Sequence, residues 1–119
     1  MRAIEAYRNN RITTQSRGGL IVMLYDGAIK ALQRAIAAIG DGDIPLKGEQ
    51  IGKATDIIIE LNSVLDMDAG GEIAQDLRRL YEFMIAHLTE ANFQNDQKML
   101  GEVIALLDDL NQSWRAIAT

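Results

Sequence analysis

The sequence predicts an all-α protein, an antiparallel four-helix bundle with a short N-terminal cap segment. Four segments carry apolar residues at helical spacing, and short clusters rich in glycine, aspartate and asparagine separate them. Aromatic residues make up only 5% of the chain and proline occurs once, while alanine, leucine and isoleucine are abundant. This composition favours helices over sheets, and no segment shows the apolar–polar alternation of a strand.

The first helix, predicted over about 17–39, has the widest apolar surface. At about 100° per residue, the apolar side chains of Leu20 to Ile39 cover roughly half of the circumference. An ordinary surface helix needs a stripe only somewhat wider than about 100°. Such a helix either packs on two sides within the bundle or buries one side and offers the other to a partner. Ser16 is a suitable N-cap, whereas Gly18 and Gly19 weaken the first turn.

Three further helices are predicted over about 46–64, 72–92 and 96–117, with Asn95 as a candidate N-cap of the last. Each carries a single apolar stripe, which we assign to the core. The stripes comprise Ile51, Ala54, Ile57, Ile58, Leu61, Val64 and Leu65 in the second helix, Ile73, Leu77, Leu80, Tyr81, Met84, Leu88 and Ala91 in the third, and Met99, Leu100, Val103, Leu106, Leu107, Leu110, Trp114 and Ile117 in the fourth.

Length and composition limit the function classes. A chain of 119 residues predicts one domain over 1–119. The net charge of −5 argues against a nucleic-acid-binding surface. Because cysteine is absent, disulfides and thiol chemistry are excluded. The N-terminus has no signal-peptide core, and no apolar run approaches the roughly 20 residues that span a bilayer, so we expect a cytoplasmic protein without membrane insertion.

Residues 1–15 are polar with isolated apolar positions. Ile4 and Tyr7 are three residues apart, so they would share one face of a helical turn. One interpretation is a frayed terminus. The other is a cap segment that docks loosely on an apolar groove of the bundle.

His87 is the only histidine and the one residue that suggests chemistry. Histidine phosphotransfer modules are also small acidic four-helix bundles, and they form the alternative function class. Their histidine is usually followed one turn later by lysine and glycine, whereas Glu90 and Ala91 stand here, and the carboxylate would repel phosphate. No metal site is expected, because the position three before His87 is Met84 and no second histidine exists. We therefore expect no enzyme activity and no cofactor.

The chain resembles the family of flagellin-specific export chaperones (FliS) over nearly its whole length. The most specific matches are the block Met23-Leu-Tyr-Asp-Gly-Ala-Ile29 and the block Gly70-Gly-Glu-Ile-Ala74. One departure precedes the first helix, where the family usually has Ala-Ser-Pro and this chain has Gln15-Ser16-Arg17. Further matches are Tyr7, Ile12-x-Thr14, Ile51-x-Lys53-Ala54, Ile57-Ile58-x-Glu60-Leu61, Leu65-Asp66, Leu80-Tyr81, Glu90-Ala91-Asn92, Asp96, Val103-Ile104-x-Leu106-Leu107 and Trp114.

The resemblance implies a cytoplasmic helical bundle that binds the C-terminal segment of flagellin. This binding would prevent premature polymerisation and help to deliver flagellin to the membrane protein of the flagellar export gate through that protein's cytoplasmic domain. It also implies that the N-terminal segment, with Ile4 and Tyr7, covers part of the flagellin-binding surface and contacts the export gate. Some members of the family also contact an anti-sigma factor. A bundle that merely self-associates through its apolar surface is a third interpretation.

We predict that flagellin binds along one margin of the first helix. Val22, Ile29 and Ile36 are seven residues apart on this margin, and Tyr25 and Leu32 lie nearer the centre of the apolar arc. The competing interpretation buries all of them in the bundle. The full predicted site comprises Ile21, Val22, Tyr25, Ile29, Leu32 and Ile36 with Phe83 and Ile104 on neighbouring helices.

Overall fold

The computed structural model describes residues 17–117, which form four helices and, within that range, no strand. Helix α1 spans Arg17–Gly40, α2 Ile44–Ser63, α3 Met67–Gln94 and α4 Gln97–Ile117. The prediction of an all-α four-helix bundle is confirmed. Ser16 and the predicted cap segment lie outside the described residues. Among the described helices, none is long and apolar enough to cross a membrane.

The helices form an antiparallel ring in which α1 packs against α2 and α4, and α3 packs against the same two helices. Hydrogen bonds between opposite helix ends fix the directions. The side chain of Gln97, at the start of α4, donates to the carbonyl of Ile36 near the end of α1. The Lys47 ammonium, at the start of α2, donates to the carbonyl of Asn92 near the end of α3 (2.8 Å) and to Oδ1 of Asn95 (2.6 Å).

The core lies along the axis of the ring and contains residues from all four helices. Across it, the hydroxyls of Tyr25 in α1 and Tyr81 in α3 lie 2.6 Å apart and share a hydrogen bond. Burial raises the pKa of both hydroxyls, so both stay protonated and the bond persists at neutral pH. The largest fully buried side chains are Tyr25, Tyr81, Leu24, Leu32, Ile58, Met84, Leu88, Leu100, Leu107, Val103 and Asn111.

Aspartates begin the helices after the turns. Asp43 accepts a hydrogen bond from the backbone N–H of Leu46, and Asp66 caps α3. The prediction for the last helix was wrong: Asp96, not Asn95, accepts from the backbone N–H of Met99. Asn95 instead ends α3 in the left-handed conformation (φ 53°), a position that asparagine tolerates better than most residues.

One end of the bundle differs from the sequence prediction. Val64, Ile73 and Ile117 were assigned to core stripes, but their exposed fractions are 56%, 73% and 70%. All three lie where α2 and α4 end and α3 begins, so none of the helices described over residues 17–117 continues past them. Gly71 also interrupts α3 there with φ 54° and ψ −132°, a backbone conformation that glycine adopts without a steric cost. The straight part of α3 therefore begins near Glu72.

Candidate functional site

The apolar arc of α1 divides into a buried side and a half-buried margin. Tyr25 and Leu32 have an exposed fraction of 0%, so they belong to the core and are unavailable to a partner in this conformation. This corrects the sequence prediction, which placed both in the binding surface. Ile21, Val22, Ile29 and Ile36 are half-buried. Each of them combines contact with neighbouring side chains and contact with solvent.

The half-buried margin of α1 faces α4. Asp26 lies about 40° from Val22 on the helix wheel, and its carboxylate accepts hydrogen bonds from Asn111 and Arg115 of α4. The carbonyl of Ile36, on the same side, accepts from Gln97 of α4. Val22, Ile29 and Ile36 therefore lie along the seam between α1 and α4, whose surface we call the α1/α4 groove.

The α4 wall of this groove follows from the antiparallel register. Because Asp26 pairs with Asn111 and Ile36 with Gln97, the level of Ile104 falls between those of Ile29 and Ile36. Ile104 is half-buried and packs against the core. The structure thus brings Ile104 to the α1 margin, on the side of α4 that faces α1.

The sequence prediction missed Gly101, which lies at about the level of Ile36 on the α4 wall. A Cβ built at Gly101 would meet no other atom within 4 Å, so the groove is open there. The available signal was the glycine itself, since an interior helical glycine costs about 1 kcal/mol relative to alanine.

The opposite half of the α1/α4 groove is polar. Asn111 is fully buried and donates to Asp26 over 2.8 Å, and Arg115 forms an ion pair with the same carboxylate. These bonds join the two walls beside Val22. The apolar part of the groove is therefore limited to the half that contains Ile29, Ile36, Gly101 and Ile104.

Phe83 does not join this groove. His87, one turn along α3, lies 2.8 Å from the carboxylate of Glu102 in α4, and Phe83 stacks on the His87 ring with centroids 4.9 Å apart. Phe83 therefore lies between α3 and α4, while α1 and α3 face each other only across the core. The body of α4 separates Phe83 from the α1 margin, which corrects the predicted grouping. The predicted cap residues Ile4 and Tyr7 lie outside the described residues.

The surroundings of His87 also oppose the phosphotransfer alternative. Its Nε2 atom lies 2.8 Å from Oε1 of Glu102, and the histidine side chain is only 19% exposed. A phosphoryl group on this nitrogen would stand against a carboxylate and repel it. The arrangement is that of a histidine in a polar contact between two helices.

A His87→Asn variant is expected to fold like the unchanged chain and to keep the flagellin binding that the sequence resemblance implies. The substitution removes the partly exposed contact with Glu102, which contributes at most about 1 kcal/mol, and the stacking of Phe83 on the ring, where Phe83 is itself 50% exposed. Circular dichroism, flagellin binding and motility of the complemented strain test this expectation. A folded variant that no longer supports flagellin secretion would give His87 a role that the geometry does not predict.

A helical bundle with an open apolar groove on one helix pair has the architecture of proteins that bind an amphipathic helix of a partner. The family profile described as flagellar protein FliS matches residues 1–119 of this chain. The chain therefore belongs to the FliS family, whose curated members are named flagellar secretion chaperones. This is a family of chaperones and not of enzymes, which agrees with the sequence analysis.

Three relatives illustrate the similarity. The flagellar secretion chaperone FliS of Vibrio cholerae is 40% identical over 119 residues, covering 97% of this chain and 88% of the relative. FliSB of Pseudomonas aeruginosa is 42% identical over 122 residues, with coverages of 99% and 97%. FliS of Salmonella typhimurium is 44% identical over 100 residues, with coverages of 83% and 74%.

Proposed function

We propose that this protein is a cytoplasmic chaperone that binds the C-terminal segment of flagellin in the α1/α4 groove. It keeps flagellin subunits from polymerising prematurely and helps to deliver them to the flagellar export gate. Membership of a family of flagellar secretion chaperones supports the function. The single structural observation that carries the location is the half-buried margin of Ile29 and Ile36, which Ile104 and the open position at Gly101 continue on α4.

The physical chemistry of the guest suits such a groove. Segments of flagellin that pair as helices in a filament must carry apolar faces, and these faces are unpaired in the monomer. A groove with apolar walls covers one such face, and the guest orders as it binds. The ordering entropy offsets part of the contact energy, which favours an extensive contact of moderate affinity. Moderate affinity also allows release at the export gate.

The residues of the predicted site take different roles in this proposal. Ile29, Ile36 and Ile104 contact the guest in the apolar half of the groove. Ile21 and Val22 lie toward the start of α1, where Asn111 and Arg115 bond to Asp26. Tyr25 and Leu32 lie beneath the margin and hold its shape from the core. Phe83 is not assigned to flagellin.

The direct test is calorimetric titration of the full chain with full-length flagellin and with flagellin that lacks its C-terminal segment. We expect binding to the first protein and at least a tenfold loss with the second. Equal binding of both proteins would reject the C-terminal segment as the guest. If neither binds, the proposed function itself fails.

The N-terminal segment is proposed to cover the guest groove in the free chaperone and to contact the export gate through Ile4 and Tyr7. Contact with an anti-sigma factor is a further partner that the family resemblance suggests. Deleting residues 1–15 should uncover apolar surface without weakening flagellin binding. An increase in the fluorescence of a hydrophobic dye, compared with the full chain at equal concentration, measures this exposure.

The same deletion separates the two roles of the segment. Secretion of flagellin should fall in cells that carry the truncated chaperone, even though purified flagellin still binds to it. Unchanged dye fluorescence would contradict the cap. Unchanged secretion would contradict the contact with the export gate.

A further inference from the structure

A second apolar groove runs between α3 and α4, on the other side of α4 from the α1/α4 groove. The contact between His87 and Glu102 sets its register. Because the helices are antiparallel, Phe83, four residues before His87, lies level with Leu106, four residues after Glu102. We call this surface the α3/α4 groove.

The apolar side chains continue from that point to the end of the bundle where α3 begins and α4 ends. Leu80 lies seven residues before His87 on α3, and Leu110 lies eight residues after Glu102 on α4, so the two leucines are at about the same level. Both are half-buried and pack against the core. The next matching level holds Ile73, fourteen residues before His87, and Ile117, fifteen residues after Glu102. Steps of three, four or seven residues keep each row on one side of its helix. The rows therefore form a continuous groove about 21 Å long, at ~1.5 Å per residue.

This groove has more exposed apolar surface than the margin of α1. Phe83 is 50% exposed, and Ile73 and Ile117 are 73% and 70% exposed. Of the four neighbouring helix pairs, α3 and α4 pack least closely. Contiguous exposed apolar surface of this kind marks an interaction site on a soluble protein more often than scattered single residues do.

Carboxylates dominate the rim of the α3/α4 groove. The one arginine on the α3 rim, Arg79, already forms an ion pair with Asp76 within its own helix. A helix that enters the groove with basic residues along its flanks would meet opposite charge, while an acidic helix would be repelled. The other rim carboxylates are Glu72 and Glu90 on α3 and Glu102 and Asp109 on α4, and they outnumber Lys98, which lies one turn before Glu102 on the same rim.

We propose that the α3/α4 groove binds a single amphipathic helix of a protein partner whose flanks carry lysine or arginine. Phe83, Leu106 and Leu110 contact its apolar face, and the rim carboxylates pair with its basic residues. Since α4 stands between the two grooves, a chaperone that holds flagellin against α1 keeps this second surface free. The protein then binds two helices at once, one on each side of α4.

The test uses two synthetic helical peptides of about 18 residues, long enough to span the groove. Both carry leucine on one face; one has lysine on its flanks and the other glutamate. Fluorescence anisotropy measures their binding to the full chain and to Phe83→Ser. The matched control is Phe93→Ser, because Phe93 lies on the same helix beyond the His87–Glu102 contact and is 86% exposed. Ile73→Ser provides a second groove variant, and it should not destabilise the fold because Ile73 is 73% exposed.

We expect the lysine-flanked peptide to bind at least tenfold more tightly than the glutamate-flanked peptide. Both groove variants should weaken its binding at least tenfold, and Phe93→Ser should leave it unchanged. Equal affinity for the two peptides would overturn the basic partner, and equal effects of the Phe83 and Phe93 variants would overturn the site. Displacement of the peptide by the C-terminal segment of flagellin would assign the groove to flagellin. Because Ile29 is not in this groove, these outcomes are independent of the flagellin titration.

Discussion

An Ile29→Asp variant will remain folded and will bind the C-terminal segment of flagellin about 30-fold to 1,000-fold more weakly, a loss of roughly 2–4 kcal/mol. In the free protein Ile29 is half-buried at the groove, so the new carboxylate can still reach water. In the complex the guest would cover that carboxylate. The register also places Asp108 at about this level of α4, so the variant would bring two like charges together under the guest.

Thermal unfolding and peptide affinity should be measured on the same Ile29→Asp preparation. The control is Ile59→Asp, which introduces the same charge at an isoleucine of α2 that is 45% exposed and remote from the groove. Normal flagellin binding by a folded Ile29→Asp protein would remove this margin from the site. An unfolded variant would show that Ile29 serves the core.

Leu32→Ala will have its effect on stability. We expect the free energy of unfolding to fall by about 2–5 kcal/mol, because Leu32 is fully buried in the core and the removed side chain leaves a cavity. The denaturant midpoint should decrease while the dependence of the free energy on denaturant stays the same. At temperatures where the variant is folded, flagellin binding should be retained, since Leu32 supports the groove only from beneath.

Leu46→Ala is the matched comparison for Leu32→Ala. It deletes the same atoms from a leucine that is 38% exposed at the start of α2, and it should cost less than about 1 kcal/mol. Equal losses at the two leucines would contradict the assignment of Leu32 to the core. A stable Leu32→Ala protein that fails to bind flagellin would move Leu32 into the binding surface.

The sequence was sufficient for the fold class because helical periodicity is a local property of the chain. It could not assign the helix ends reliably. Asn95 and Asp96 are both good capping residues, and only the left-handed turn at Asn95 leaves the capping role to Asp96. Helical periodicity also predicted that Ile73 and Ile117 belong to the core, whereas both are exposed near the ends of the neighbouring helices.

The candidate site depended even more on the arrangement of the helices. A helix wheel shows that Leu32 and Ile29 are neighbours, but the position of the core between the helices decides which of them is covered. Phe83 and Ile104 both flanked apolar stripes in the sequence. Only the ring order shows that they lie on opposite sides of α4.

The ring order has a consequence for how the protein becomes competent to bind. Contacts between consecutive helices join segments that are close in the chain, whereas the bonds from α4 to α1 join residues 61 to 89 positions apart. Closing such long loops is entropically unfavourable until the other contacts are in place, so α4 is expected to dock on α1 late in folding. The α1/α4 groove is created by that docking. A partly folded chain therefore lacks the α1/α4 groove, and under the proposed function a newly made chain becomes able to bind its guest only after α4 has docked on α1.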